Sequence, residues 1–145
     1  MAEQNYKNHI RFYPPHHFVF YPLMLAIFSF AVTQEVMQEH NKLVWIFLSV
    51  LSAIITWVAY MMRQHYALTV QNRVVLLELR YRFFATTGER LEMYEGMLSE
   101  GQLFALRFAQ DDQLLFLIKM AINEELTADA IKRSIENWKP DHNRV

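Results

Sequence analysis

From Leu43 to Met62 the chain reads LVWIFLSVLSAIITWVAYMM, 20 residues without a charged side chain. A helix of about 20 apolar residues matches the ~30 Å hydrocarbon core of a bilayer. Few other uses exist for such a run, because a soluble core helix is shorter or carries polar residues on one face. Ser49, Ser52 and Thr56 do not spoil the span, since their hydroxyls can bond back to the helix backbone. This segment predicts a membrane-spanning helix over about 43–62.

A second candidate precedes it. Phe18 to Val32, FVFYPLMLAIFSFAV, is strongly apolar, and Thr33 and Gln34 extend it to the short end of the spanning range. Pro22 is expected in the first turns, where its missing N–H costs least. Lys7, Arg11 and the small residues around Ser29-Phe30-Ala31 also fit a cleaved signal peptide. The second span that follows after a short loop favours an uncleaved anchor, with spans at about 17–34 and 43–62.

The connection Thr33–Lys42, TQEVMQEHNK, is short enough to force an antiparallel hairpin. Lys7 and Arg11 flank its N-terminal side. Arg63, Arg73, Arg80 and Arg82 follow its C-terminal side, and the loop has Lys42 alone. The excess of positive charge places both termini in the cytoplasm. Tyr13, Tyr21, Tyr60 and Tyr66 then sit at the inner interface and Trp45 at the outer one.

Neither Gly nor Pro occurs between Leu23 and Thr87, so the second span has no obvious stop. Ala67, Val70, Val74, Leu77, Tyr81 and Phe84 recur at alternating spacings of three and four, a heptad a/d stripe. Val75, Leu76, Leu79 and Phe83 make a second stripe on another face. One helix is predicted from about Lys42 to Thr86, ended at Gly88. At about 1.5 Å per residue it would be on the order of 65 Å long. A kink near Arg63–Tyr66 is the main alternative.

Short helices fill the remainder. Leu91, Tyr94 and Leu98 share one side. Ser99 and Gln102 have the capping-box spacing and open a helix through Leu103, Phe104, Leu106 and Phe108. Asp111 or Asp112 can cap the next helix, through Leu114–Ile118, Met120 and Ile122. Thr127 can cap the last, where Ile131, Ile135 and Trp138 follow helical spacing and Pro140 stands past the end. The predicted class is all-α: an antiparallel transmembrane hairpin over 1–66, whose second span continues as a long helix into a small cytoplasmic helical bundle over 67–145.

Composition narrows the functions. The chain has no cysteine, which excludes disulfides, thiolate metal sites and thiol catalysis. Lys+Arg 14 against Asp+Glu 15 gives a net charge of −1 and argues against nucleic acid as a partner. Only Gly88, Gly96 and Gly101 are glycines, so a backbone phosphate cradle is not expected. No HExxH or GxSxG occurs, and neither span has a charge at its centre for an ion relay. GxxxG is absent, while Ser49, Ser52 and Ala53 offer a milder small-residue contact face.

Candidate sites are few. His16, His17 and His65 would meet at one membrane face, with His9 near, as potential ligands for zinc, copper or haem iron. Their spacing is not that of a metal motif, and anchoring of helix ends is the plainer role. Asp111-Asp112 reads as helix capping rather than a carboxylate pair. Glu89, Glu92 and Glu95 read as a solvated face. Arg63 can meet lipid headgroups, whereas Arg80 lies about 25 Å further along the helix and is better paired with Glu78 or with acids of the bundle. The aromatic and basic residues Arg63, Arg73, Arg80, Arg82, Phe83, Phe84, Phe104, Arg107, Phe108 and Trp138 form a candidate interaction surface. The a/d stripe is either packed within the chain, the favoured reading, or an oligomer contact.

Three stretches, NYKNHIRFYPPHHFVFYP, GQLFALRFAQDDQL and IKRSIENWKPDHNRV, together resemble a family of small bacterial membrane proteins of unknown function with two spans and a helical tail. The likeness covers nearly the whole chain. It implies a bacterial cytoplasmic-membrane setting and brings no activity, cofactor or catalytic residue. The residues that carry it are Tyr13, Pro14, Pro15, His16, His17, Arg107, Asp111, Trp138 and Asp141.

These features point to a non-enzymatic membrane protein without a cofactor: an accessory subunit, scaffold or assembly factor acting through cytoplasmic helices. The alternative is a homo-oligomer forming a small pore or membrane sensor. A metal- or haem-binding protein using the histidines comes third. The expected partners are the bilayer and either another protein or a second copy.

Overall fold

The computed structural model describes residues 4–9 and 13–141, and these are all-α. Helices α1 (Tyr21–Met37), α2 (Lys42–Met61), α3 (Leu68–Thr87), α4 (Glu92–Glu95), α5 (Glu100–Leu106), α6 (Asp111–Asn123) and α7 (Ala128–Ser134) follow in order. No strand occurs among the described residues, and one isolated antiparallel bridge joins Ala109 and Trp138. The chain divides into two compact units. Of the described residues, one holds 13–69, and the other combines 4–9 with 70–141.

The first unit is a helical hairpin of α1 packed on α2. Helical backbone begins earlier than expected, with a π-helical stretch at Pro15–Phe20 leading into α1. Pro22 therefore lies beyond the first turn of the helical run. Its ring and missing N–H disfavour a regular preceding turn, and the wider π turns accommodate them. The connection is shorter than ten residues, because α1 runs to Met37 and a 3-10 turn, Glu39–Asn41, leads into α2.

Met24 and Ala31 on α1, and Ser49 and Ser52 on α2, are buried. Small residues at such a contact let two helices approach closely. Ser49 Oγ donates to Ile46 O, Ser52 Oγ to Ser49 O and Thr56 Oγ1 to Ser52 O, each at 2.8 Å. Ala53 is exposed and takes no part in this face. Of the most apolar stretch in each long helix only 11% is buried. By length and composition both helical runs, Pro15–Met37 and Glu39–Thr87, can cross a membrane.

The backbone stays helical from Glu39 to Thr87. Where a kink was the alternative, Met62–Ala67 is π-helical, with Leu68 N–H bonded to Arg63 O. The run ends as expected at Gly88, whose φ of 72° is the left-handed conformation that glycine adopts without a Cβ penalty.

The second unit buries Leu79 and Phe83 of α3 with Leu91, Leu103, Leu106, Phe108, Leu114, Leu117, Ile118 and Ile131. Ser99 and Gln102 form the full capping box at α5, and Thr127 caps α7 through Ala130 N–H. Asp111 and Asp112 do not cap α6. Gln110 holds that position, and the two carboxylates lie in the first turn, where the helix dipole favours them.

The last helix also ends before Trp138. Ile135 turns extended at ψ 114°, and the chain returns so that Lys139 N–H donates to Phe108 O at 2.7 Å. Pro140 restricts only Lys139 before it, so the earlier end at Ile135 goes with the return of the chain onto Phe108. The N-terminal segment was expected with the hairpin. Instead, Gln4–His9 belongs with the helical domain, where Tyr6 Oη donates to Asp129 at 2.6 Å and Asp141 N–H donates to Gln4 Oε1 at 2.7 Å. Aromatic and hydrogen-bonding side chains in that short polar stretch find partners there that a hairpin flank lacks.

Candidate functional site

Helix α3 carries two faces of opposite fate. On the inner face Leu79 and Phe83 are fully buried and Leu76 is partly so. Arg82 lies on this face at 7% exposure and delivers three donors. Its Nε donates to Asp111 Oδ1 at 2.6 Å, Nη1 to Arg107 O at 2.9 Å and Nη2 to Ala109 O at 2.5 Å. The planar guanidinium thus closes the α5–α6 turn by satisfying two loop carbonyls and a carboxylate together. Arg80 forms a bidentate pair with Glu95 at 2.6 and 2.7 Å. Acids on the surrounding helices therefore take both arginines.

The outer face is the a/d stripe. Val70 is 61% exposed, Val74 57%, Leu77 65%, Tyr81 72% and Phe84 56%, and Ala67 is exposed as well. This corrects the expectation that the stripe packs against the C-terminal helices: the second stripe does so instead. The domain core needs only one face of α3, and Leu79, Phe83 and Arg82 supply it. Exposed Arg73 and Glu78 border the stripe.

The expected interaction surface divides accordingly. Phe83, Phe108 and Arg82 are buried and serve the core, so they offer nothing to a partner. Arg107 lies over the Phe108 ring at 4.4 Å with Asp141 at 3.7 Å, and only 12% of its side chain is exposed. Trp138 is half-buried, with its ring 4.8 Å from that of Phe108. Phe104 and Arg63 are partly exposed; Arg73 and Phe84 are open. Glu95 is taken by Arg80, while Glu89 accepts from Tyr94 Oη at 2.8 Å, which holds the Tyr94 phenol above its ordinary pKa.

Beside Arg82 lies a polar groove of about 700 Å³, lined by Gln4, Asn5, Gln110, Asp111, Asp112, Glu136, Asn137 and Trp138. Lys139 Nζ reaches Asp111 at 3.4 Å. Desolvation pushes the Asp111 carboxyl up. Its hydrogen bond to Arg82 and the charges of Arg82 and Lys139 outweigh that and hold it below the ordinary carboxylate value. The Tyr6 hydrogen bond, helped by Arg133, likewise lowers Asp129. Nothing in the residue pattern marked this groove, because five of its lining residues come from the two chain ends flanking the domain.

The described histidines are spread over both units. His16 meets the Tyr21 hydroxyl at 3.1 Å and stacks on Phe20, and His17 stands edge-on to His16. His9 is in the other unit, its ring 5.7 Å from both Phe108 and Trp138. His65 is exposed. Among the described residues no group of three or more His, Asp or Glu side chains is placed to hold a metal ion.

No curated protein and no solved structure matches the chain. The family described as DUF6526, of unknown function, matches residues 1–145 from end to end, and the chain belongs to that family.

Proposed function

We propose that this protein is an integral membrane scaffold or accessory subunit. In this reading α1 and α2 span the bilayer as a hairpin, and the helical domain presents an interaction surface on the cytoplasmic side. The carrying observation is the outward exposure of the hairpin. Phe18, Leu25, Phe30, Phe47, Ile54 and Trp57 are all more than half exposed to the surroundings. A core helix of a soluble protein buries such side chains; a bilayer covers them without any other partner.

A second observation supports two crossings rather than one. Gln4–His9 and Val70 onward belong to the same compact unit, which favours a chain that leaves and returns on one side of the bilayer. The arginine excess beyond α2 favours the cytoplasm for that side. The open face of α3 is the surface a scaffold would use.

Membrane fractionation and cysteine labelling test this reading, and the cysteine-free background makes labelling clean. The expected result is a chain that resists alkaline carbonate extraction. An impermeant maleimide applied to spheroplasts should label Glu39→Cys and leave Glu89→Cys unlabelled until the membrane is opened. A chain released by carbonate, or equal labelling at both positions, rejects the proposal.

A further inference from the structure

We infer that the partner of the open α3 face is a second copy of this chain, paired as a parallel, in-register coiled coil over residues 67–84. The inference rests on the membrane reading above in one respect: two copies inserted with one topology run α3 in the same direction.

The heptad frame is set by the exposed stripe. Ala67, Val74 and Tyr81 take the a positions, and Val70, Leu77 and Phe84 the d positions. A β-branched residue at a followed by leucine at d, as in Val74 and Leu77, favours two strands. The frame then puts Arg73 at g and Glu78 at the following e. In a parallel pair g of one helix faces e of the next heptad of its partner, so Arg73 of each copy meets Glu78 of the other. Both side chains are exposed, and neither makes an ion pair within the described residues. The neighbouring arginines, by contrast, are committed to Glu95 and Asp111.

The charges therefore complement a parallel copy. In an antiparallel copy g faces g and e faces e, so Arg73 no longer meets Glu78. About two and a half heptads are short for pairing in dilute solution, but confinement to one bilayer raises the effective concentration of the second helix.

Single cysteines at Val74 and Leu77 test the pairing in washed membranes of expressing cells, with Phe116→Cys as an exposed control on α6. Because positions 74 and 77 are open, the variants leave the fold intact. Mild oxidation should give disulfide-linked dimers at both stripe positions and none at Phe116. In the Val74→Cys background, Arg73→Glu alone or Glu78→Arg alone should lower the linked fraction about fivefold, the effect of two exposed ion pairs turned repulsive. Co-expression of the two charge variants should restore a mixed dimer.

A chain recovered in the membrane that fails to link at 74 and 77, or links equally at 116, overturns the dimer. Linking to a different protein at 74 also overturns it. Linking without rescue by the mixed pair overturns the parallel register. A chain found in the soluble fraction rejects the membrane reading itself, so the two failures are told apart.

Discussion

Arg82 is the residue on which the domain turns most visibly. A buried guanidinium needs hydrogen-bond partners and a counter-charge, and here three of its donors close the turn between α5 and α6. Arg82→Met would keep much of the side-chain volume and strand the carbonyls of Arg107 and Ala109. The expected loss is about 2–3 kcal/mol, read as a fall in the thermal midpoint of the detergent-solubilised chain. Asp111→Asn should cost under about 1 kcal/mol, since the Asp111 side chain is 48% exposed and its ion pair is screened by water. Equal losses for the two variants would remove Arg82 from its role as the clamp.

Two carboxylates set an acid limit. Asp111 and Asp129 both titrate below the ordinary carboxylate range in the folded protein. A depressed folded-state value means that the stabilisation is complete above the unfolded-state pKa of about 4 and is lost as pH falls through the folded-state value. Thermal midpoints measured at successive pH values should therefore be flat from neutrality to about pH 5 and fall below about pH 4. Asp111→Asn should flatten part of that fall; an unchanged profile would assign the acid loss to other groups.

At the scale of the element, α3 is one helix with two apolar stripes and one core to serve. Leu79→Ala and Phe83→Ala should each cost about 2–5 kcal/mol, the range for truncating buried core side chains. Leu77→Ala and Phe84→Ala in the isolated chain should stay within about 0.5 kcal/mol, as at other exposed positions. Urea unfolding of all four variants compares them directly, and similar losses on both faces would show that the stripes had been assigned wrongly. The helical spacing made both stripes legible in the sequence. It did not show which one turns inward, because both are apolar and the choice depends on α5 and α6, which are distant along the chain.

The local signals were more informative. Ser99, Gln102, Thr127 and Gly88 mark helix ends through chemistry confined to a few residues, and they stand where expected. Tertiary signals were not legible. Asp111 looks like a cap until Arg82 claims it, and Trp138 continues a helical spacing although the chain turns extended at Ile135 and returns to Phe108. The polar groove draws Gln4 and Asn5 from one end and Glu136 to Trp138 from the other, so no local pattern announces it.

At the scale of the whole molecule, the membrane reading predicts an outcome that a soluble reading reverses. Leu25 on α1 is 66% exposed, and it does not share the hairpin contact made by Met24 and Ala31. In water, arginine in place of an exposed leucine would cost nothing in packing and would reduce a sticky apolar surface. Near the centre of a bilayer the same substitution costs roughly 2.5–3.5 kcal/mol of insertion free energy. The first span is the less apolar of the two, with a mean hydropathy of 1.5 against 2.1, and has less in reserve against that cost. Gln4–His9 and the helical domain form one unit, so failure of α1 to insert would part the segment from its binding place on Phe108 and Trp138 or force α2 out of the membrane with it. Leu25→Arg should therefore lower the carbonate-resistant fraction and expose Glu89→Cys to impermeant label in spheroplasts, while Glu35→Arg, at the loop end of α1, should change neither. If Leu25→Arg instead raised the soluble yield of a folded protein, the outward apolar face of the hairpin would be a protein-binding surface and not a lipid-facing one.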